Sequence, residues 1–330
     1  MPMSHPIVSI VTPAYNETLN LPILYERIAA VMQGLGIVWE WVVIDDHSKD
    51  ETFRVIREIA DKHPNVLGVR LARNSGSHTA IMCGLEHVRG ACAVILASDL
   101  QDPPETIPAL LAEWHKGYNI VWAVRAKREG ERVSTLAFAR VYYWIMRNFV
   151  GIKNMADSGA DFFLIDRRAV DAVISYREQN VSVLALLSWI GFSQTSIPYV
   201  KQPRLHGQSG WSLEKKLKLV IDSVTSFTYR PLRLMSYVGI TFALIGFAYA
   251  LLVIVNALIV RAAPEGWTSL MVVVLVMGGI QMMMMGILGE YLWRALDEAR
   301  RRPRYVVERT TQDPPIRTAI AYNDNDGGLG

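Results

Sequence analysis

Carboxylate and amide side chains crowd a short turn near residue 100, where an apolar run ends. The run from Ala91 to Ala97 predicts a buried strand, and Asp99, Gln101 and Asp102 follow it directly. The two prolines that come next open a helix, because proline in a first helical turn loses no hydrogen bond. Asp99 and Gln101 can offer oxygens to one hard divalent cation, which keeps few protein ligands and takes the rest from diphosphate and water. The alternative is a solvated polar turn that only closes the strand.

Three earlier predicted strands also end in polar residues. The strands are Ile7–Thr12, Trp41–Ile44 and Val66–Leu71, and the groups that follow them are Tyr15, Asn16 and Glu17, then Asp45 and Asp46, then Asn74 and Gly76. One such group is ordinary turn chemistry, because Asp, Asn and Gly favour turns. Four of them on the same edge of a sheet would build a cleft of nucleotide size, where open α/β sheets bind ligands.

The alternation of strands and helices predicts the fold class. Predicted helices separate the strands as far as a fifth strand at Ile120–Val124, which is typical of right-handed βαβ units and an α/β fold with a mainly parallel sheet. The chain contains no G-x-G-x-x-G and no G-x-x-x-x-G-K-[ST] segment, which argues against a dinucleotide site or a P-loop. A nucleotide held by side-chain acids and a metal fits the pattern better.

Two long uncharged stretches follow this α/β part of the chain. Leu234–Val260 and Gly266–Gly289 contain no charged residue, and each is longer than the roughly 20 residues that cross a bilayer core. We therefore expect a hairpin of two transmembrane helices, over about 234–260 and 267–292. The first span carries a stripe of small residues, which offers a close-packing face to the second span or to another protomer and leaves a homo-oligomer open.

The arginines that flank the two uncharged stretches predict which side of the membrane each part of the chain occupies. Arg230 and Arg233 precede the first span, and Arg294 and the arginines of 300–304 follow the second. By the positive-inside rule, the large N-terminal domain and the tail lie in the cytoplasm. The N-terminus leads directly into a polar-flanked strand, so we expect no cleavable signal peptide. The net charge of +3 is too small to suggest nucleic acid as a partner.

The motifs, taken in order, resemble a known enzyme family. Pro13-x-Tyr-Asn-Glu17, Asp45-Asp46-x-Ser48-x-Asp50, Asn74-x-Gly76 with Gly84-Leu85, and Asp99-Leu-Gln-Asp-Pro-Pro-Glu105 resemble the GT-A fold of family 2 glycosyltransferases. With the C-terminal hairpin, the pattern is similar to the polyprenyl-phosphate glycosyltransferases, the relatives of bactoprenol glucosyltransferase and dolichol-phosphate mannose synthase. The resemblance covers the chain as far as the tail. One departure concerns the frequent Asp-x-Asp of the family, because Ala97 stands here in place of the first acid.

The resemblance implies a reaction and its ligands. It implies transfer of a hexose, with glucose from UDP-glucose as the first choice, to undecaprenyl or another polyprenyl phosphate, and it places Mg²⁺ or Mn²⁺ on Asp99 and Gln101. It assigns the nucleotide sugar to Pro13, Tyr15, Glu17, Asp45, Asp46, Gly76, Ser98, Asp99, Arg204 and Ser209. The last two lie in a Gly-rich basic loop that resembles the mobile loop of the family, with a plain solvent loop as the alternative. No feature suggests a covalent intermediate, so a single inverting displacement is expected.

Basic side chains beyond the fifth strand are candidates for the acceptor phosphate. Arg125 and Arg128 suit bidentate phosphate binding, although a solvated basic loop is the alternative. The apolar and aromatic segment Thr135–Val150 carries Arg140 and predicts a helix that lies on the membrane, near the acceptor phosphate, or else a buried core helix. By resemblance, Asp157 lies beside the acceptor. A phosphate monoester with a second pKa near ~6 is already mostly dianionic at neutral pH, so Asp157 orients the acceptor first and acts as a base second.

These expectations divide the chain into four parts. They are a cytoplasmic GT-A catalytic domain over 1–211, an amphipathic juxtamembrane helix over 212–233, two transmembrane helices within 234–293, and a basic, disordered cytoplasmic tail over 294–330. With the resemblance, they predict a multi-pass protein of the bacterial inner (plasma) membrane with the catalytic domain and both termini in the cytoplasm.

Two other functions compete with this interpretation. A processive polysaccharide synthase of the same broad fold would need more spans and a Gln-x-x-Arg-Trp motif, and the chain has neither. A non-catalytic membrane scaffold that binds nucleotide sugars, or a partner in lipid flipping, would be favoured by the missing acid at Ala97.

Overall fold

The computed structural model describes residues 7–126, 141–142, 144–150, 161–176, 182–203, 220–221, 224–225, 227–259, 266–300 and 302–313. The described strands are β1 (Val8–Ala14), β2 (Trp39–Asp45), β3 (Val66–Leu71), β4 (Cys92–Ile95), β5 (Ile120–Arg125), β6 (Phe163–Asp166), β7 (Gln194–Tyr199) and β8 (Val307–Thr310). The helices are α1 (Asn20–Leu35), α2 (Thr52–Lys62), α3 (Ser77–His87), α4 (Ile107–His115), α5 (Arg167–Ser175), α6 (Val183–Trp189), α7 (Arg230–Ile259) and α8 (Trp267–Ala299). A 3₁₀ turn at Pro104–Thr106 precedes α4, and Ile145–Val150 forms a π-helical segment.

The described strands form one mixed, mainly parallel sheet in the order β7-β5-β6-β4-β1-β2-β3-β8. The pairs β1–β2, β2–β3, β1–β4 and β5–β7 are parallel, as the alternation of strands and helices predicts. β6 runs antiparallel between β4 and β5, so those two strands point the same way. The carboxyl ends of β1 to β5 therefore all face one edge of the sheet.

Apolar side chains cover both faces of the sheet, because successive residues of a strand point to opposite faces. In β2, Trp41 and Val43 pack on the face covered by α1, α2 and α4, while Val42 and Ile44 pack on the face of α3, α5 and α6. A Cβ at Gly84 would lie 2.3 Å from Cγ1 of Val11, so the glycine lets α3 lie directly on β1. This close packing fixes the start of α3 at the carboxyl edge of the sheet.

The long helices α7 and α8 lie side by side near Gly239. A Cβ at this glycine would lie 3.3 Å from Cε of Met284, so α7 and α8 pack closely at this member of the small-residue stripe. Among the described residues, one stretch meets the length and hydropathy criteria for a membrane span, Arg230–Tyr249 in α7, with a mean hydropathy of 1.5. The crossing of the bilayer by both helices stays a prediction.

The expectation of a disordered tail is wrong for residues 302–313. β8 pairs antiparallel with β3, with Val69 opposite Thr310 and Arg70 opposite Arg309. Without β8, β3 would present a row of unpaired backbone N–H and C=O groups at the edge of the sheet, and pairing satisfies them. The second helix of the hairpin also continues past the predicted end at residue 292, to Ala299.

Candidate active site

A residue with left-handed backbone follows each of the first four strands, on the carboxyl edge of the sheet. These residues are Asn16 after β1, His47 after β2, Gly76 after β3 and Leu100 after β4, with φ of 58°, 59°, 89° and 61°. Glycine adopts this conformation freely, whereas a branched side chain such as that of Leu100 is strained in it. Strained turns that recur at one edge of a sheet are typical of a ligand site.

The turns after β1 and β2 hold each other through hydrogen bonds. The backbone N–H of Asn16 donates to Oγ of Ser48 at 2.9 Å, and the N–H of Glu17 donates to Oγ1 of Thr52 at 2.8 Å. In return, the N–H of Lys49 donates to Oδ1 of Asn16 at 2.9 Å. The two turns therefore form one rigid wall of the cleft, on which the predicted donor residue Glu17 lies.

Asp45, at the end of β2, is fully buried and bound on both carboxylate oxygens. Its Oδ1 accepts the N–H of Ser48 at 2.9 Å, and its Oδ2 forms an ion pair with Nη1 of Arg70. Arg70 also donates to the carbonyl of Ser48 at 3.0 Å. Asp45 and Arg70 together set the conformation of the turn after β2.

Asp46 holds the neighbouring turn in the same way. Its two oxygens accept the N–H groups of Ser75 and Gly76 at 2.7 and 2.8 Å. Burial raises the pKa of this carboxyl, and the two backbone hydrogen bonds act against that rise. The structure thus brings Asp46 and Gly76 into direct contact, as side chain and backbone. Binding of base and ribose by the two acids stays a prediction.

The turn after β4 brings the predicted metal ligands together. The N–H of Gln101 donates to Oδ1 of Asp99 at 3.1 Å, which closes a tight turn around Leu100. Oγ of Ser98 donates to the carbonyl of Pro13 at 3.1 Å, so this turn is fixed to the end of β1. In the part of the chain that the structure describes, no group of three or more His, Cys, Asp or Glu side chains is arranged to hold a metal ion. A cation here would rest on Asp99, Gln101 and ligands from outside the protein.

Asp102 anchors the other side of the same turn. It is 1% exposed and accepts the hydroxyl hydrogen of Tyr199 at 2.5 Å, while Nζ of Lys201 lies 3.9 Å away. Burial raises the pKa of the Asp102 carboxyl, and Lys201 and Tyr199 oppose the rise. Arg125, at the end of β5, hydrogen-bonds to Tyr199 and so lies on the edge that carries the other candidate residues.

Comparison with known proteins agrees with this geometry. The model of glycosyl transferase family 2 matches residues 9–174, from β1 to α5. The chain belongs to glycosyl transferase family 2. A second model, the GtrB C-terminal hairpin, matches residues 230–294, which comprise α7 and most of α8. The predicted GT-A fold and the glycosyltransferase class are therefore confirmed.

Relatives match this glycosyltransferase over nearly their full length. An uncharacterized glycosyltransferase of Bacillus subtilis, YkcC, is 38% identical over 92% of this chain and 93% of its own. The undecaprenyl-phosphate 4-deoxy-4-formamido-L-arabinose transferase of Klebsiella pneumoniae is 37% identical over 93% and 94%. A prophage bactoprenol glucosyl transferase homolog of Escherichia coli is 32% identical over 92% and 98%. Among solved structures, mannosyl-3-phosphoglycerate synthase from Rubrobacter xylanophilus has a TM-score of 0.48 at 19% identity, over 70% of this chain and 75% of that one.

Several predicted site residues of the glycosyltransferase lie outside the described part of the chain. They are Arg128, Arg140, Asp157, Arg204 and Ser209. The segment that leads to the predicted mobile loop is described as far as Pro203, and the N–H of Gln202 donates to the carbonyl of Gln101 at 2.8 Å. The loop therefore starts against the turn that carries Asp99. Of the other predicted donor residues, Tyr15 is 40% exposed beside the turn after β1.

The structure adds residues that the sequence did not single out for the site. His78, in the first turn of α3, has a buried Nδ1 without a hydrogen-bond partner among the described residues. Burial lowers the pKa of its imidazole, and the charge of Asp161 acts against this. Asp161 precedes β6, which runs antiparallel to β4 and β5, so it lies at the edge where those two strands end. The sequence contains no signal for these long-range contacts, because a lone His in a helix and an Asp before a strand are common.

Proposed function

We propose that this enzyme transfers a hexose from a nucleoside diphosphate sugar to a polyprenyl phosphate in the membrane. UDP-glucose is the first candidate donor and undecaprenyl phosphate the first candidate acceptor. The observation that carries the proposal is the convergence of four left-handed turns on the edge that holds Asp99 and Gln101. The names of two relatives, a bactoprenol glucosyl transferase homolog and an undecaprenyl-phosphate transferase, support the same class of acceptor.

The donor nucleotide would lie along the wall formed by the turns after β1, β2 and β3. Tyr15 is exposed there and can stack on a base, and the half-buried Glu17 can supply acceptor oxygens, while the buried Asp45 and Asp46 hold the turns on which the nucleotide would lie. Because Asp45 and Asp46 are already bound to protein groups, the wall is preorganised before the nucleotide arrives. Preorganised donor sites lose less entropy on binding.

The residues of the turn after β4 fit a divalent cation. A carboxylate and an amide oxygen two residues apart suit Mg²⁺ or Mn²⁺, which would complete their shell with diphosphate oxygens and water. Asp99 is 9% exposed and its carboxylate accepts the backbone N–H of Gln101, while the side-chain amide of Gln101 donates to the carbonyl of Gln202 at 3.4 Å. When bound, such an ion neutralises charge on the diphosphate leaving group.

The acceptor phosphate would enter from the side of β5 and the membrane. Arg125 is held through Tyr199 and Asp102 next to the turn of Asp99, where its guanidinium can pair with phosphate oxygens. A polyprenyl phosphate is already mostly dianionic at neutral pH, so it attacks the anomeric carbon in one inverting displacement without a strong base. We assign Arg128 and Arg140 to the same phosphate and Asp157 to its orientation.

The surface around the base of α7 supports a membrane location for this reaction. Nη1 of Arg230 donates to the carbonyl of Asn148 at 2.7 Å, and the hydroxyl of Tyr291 donates to the carbonyl of Thr228 at 2.8 Å. Nearby, Trp144 is 61% exposed, which is typical of a residue in the lipid headgroup region. We propose that α7 and α8 cross the bacterial inner membrane and that the catalytic domain lies on its cytoplasmic face.

A non-catalytic scaffold is the second candidate, since Ala97 replaces an acid that the family often has. Both candidates bind nucleotide sugars, and only the enzyme makes a lipid product. The test is a matrix of radiolabelled UDP- and GDP-sugars, including glucose and 4-deoxy-4-formamido-L-arabinose, against undecaprenyl phosphate in detergent with Mg²⁺ or Mn²⁺. We expect one donor to move its label into the organic phase. Donor binding without any lipid product would instead support the scaffold.

A further inference from the structure

We propose that the tail segment 306–311 positions the nucleotide end of the donor site, and that Glu308 acts there through Arg70. This inference rests on the proposed donor site at the turns after β1 and β2. It assigns a function to a segment that follows the membrane hairpin in sequence and returns to the far edge of the catalytic sheet.

The tail is held along β3 from Gly68 to the residue after the strand, Ala72. The N–H of Ala72 donates to the carbonyl of Val306 at 2.8 Å, and at the other end Gly68 and Thr311 exchange hydrogen bonds of 2.9 and 3.0 Å. A Cβ at Gly68 would lie 2.3 Å from Cγ2 of Ile56 and 2.7 Å from Cγ2 of Thr311, so the glycine makes room for both α2 and the tail. The tail segment is thus an edge strand of the sheet that packs closely on its neighbours.

Before this strand, the tail contacts the helices that cover the sheet. Tyr305 packs against the core cluster on the face of α3, and its hydroxyl hydrogen-bonds to Glu86. Arg304 hydrogen-bonds to the carbonyl of Tyr176, just after α5. These contacts anchor the tail without involving Arg70. A variant that removes one of them can therefore serve as a control for the Glu308–Arg70 contact.

Glu308 is the tail residue that connects to the site. Its carboxylate receives Nε of Arg70 at 3.0 Å, and it lies 3.6 Å from Nδ1 of His47. Arg70 in turn binds the buried Asp45 and the carbonyl of Ser48. The Arg70 guanidinium therefore connects Glu308 of the tail to Asp45 and Ser48 at the turn after β2.

The same connection continues to the turn after β1. Oγ of Ser48 accepts the N–H of Asn16, which lies between the predicted donor residues Tyr15 and Glu17. The Arg70 side chain is 13% exposed, and its fork is divided among Glu308, Asp45 and Ser48. With Glu308 removed, Nε of Arg70 loses its carboxylate, while Nη1 stays paired with Asp45, so the hold of the guanidinium on the Ser48 carbonyl weakens. The turns that would contact the nucleotide keep their mutual hydrogen bonds but lose part of their support from β3.

The test measures binding of UDP and GDP to the full-length protein in detergent by calorimetry, and donor and lipid kinetics in parallel. We expect Glu308→Ala to raise the Kd for the preferred nucleotide about 5-fold, as for a partly exposed ion pair. Glu308→Gln keeps an acceptor oxygen and should give a smaller rise. The donor KM should rise in step, with kcat and the KM for undecaprenyl phosphate unchanged, a split that a general loss of stability would not produce.

Tyr305→Phe is the matched control, because it removes a tail hydrogen bond that does not reach Arg70. We expect it to lower the melting temperature slightly and to leave the nucleotide Kd unchanged. If Glu308→Ala leaves the Kd at the wild-type value, or if Tyr305→Phe raises it equally, the positioning role of Glu308 is wrong while the proposed function stands. If the wild-type protein binds neither UDP nor GDP, the donor site itself is wrong and the inference falls with it.

Discussion

Tyr199 donates its hydroxyl hydrogen to Oδ1 of Asp102 over 2.5 Å, and this bond joins the end of β7 to the turn after β4. Asp102 is 1% exposed, and its Oδ2 has no hydrogen-bond partner among the described residues. Among the described residues, the Tyr199 hydroxyl is therefore the nearest hydrogen-bond donor to this buried carboxyl. Through Arg125 the same phenol also reaches the proposed acceptor side of the cleft.

Replacement of this phenol by Tyr199→Phe should destabilise the protein. A buried acceptor that loses its donor costs about 1–3 kcal/mol, so we expect the free energy of unfolding to fall by that amount. Tryptophan fluorescence during urea unfolding in detergent measures it. The control is Tyr118→Phe, because Tyr118 is exposed at the surface after α4. Equal stability of the two variants would contradict the role given to the Tyr199–Asp102 bond.

The stability contributed by Asp102 should depend on pH. Burial raises the pKa of this carboxyl above its ordinary 3.8, so the folded state binds its proton more tightly than the unfolded state. This contribution is fully present below the ordinary pKa and is lost as the pH rises through the raised value. Asp102→Asn removes the titration. The wild-type protein should therefore lose stability relative to Asp102→Asn as the pH is raised from about 4 towards neutrality, by at most about 1.4 kcal/mol per pH unit. A difference in unfolding free energy that is constant over this range would contradict the prediction.

Gly76 and Gly34 should respond to alanine in opposite directions. Gly76 has φ of 89° and open space around it, so Gly76→Ala adds backbone strain without a clash and should cost about 1 kcal/mol. Gly34 lies in α1, also with open space around it, and Gly34→Ala should stabilise by about 0.5–1 kcal/mol. Urea unfolding of both variants measures the two effects. A Gly76→Ala variant as stable as the wild-type protein would contradict the requirement for glycine at the turn after β3.

The edge of the sheet that carries the candidate site could be predicted from the sequence, because local patterns determine where each strand ends. Apolar runs such as Trp41–Ile44 predict strands, and the polar residues that follow each of them fall at the ends of parallel strands. The position of Asp99 relative to Gln101 follows from the same logic, since both lie in one turn.

The strand in the tail could not be predicted from a local sequence pattern. Val307–Thr310 is short, carries Glu308 and Arg309, and shows no apolar alternation, so nothing local predicts a strand. It forms because the edge of β3 is open to pairing, which depends on residues more than 200 positions away. For the same reason Arg70 looked like an ordinary charged residue on a strand, and its link to Asp45 and Glu308 emerged only from the folded chain.

The most direct test of the central claim compares Asp99→Asn with the wild-type enzyme in transfer of labelled sugar from the preferred donor to undecaprenyl phosphate. The control is Asp171→Asn, whose side chain is 56% exposed on α5. We predict that the wild type and Asp171→Asn give lipid-linked label that EDTA abolishes, and that Asp99→Asn is slower by about 100-fold or more, as for a lost electrostatic contact to a leaving group. Wild-type rates in Asp99→Asn, or full transfer in EDTA, would contradict the proposed metal-dependent glycosyl transfer at this edge of the sheet.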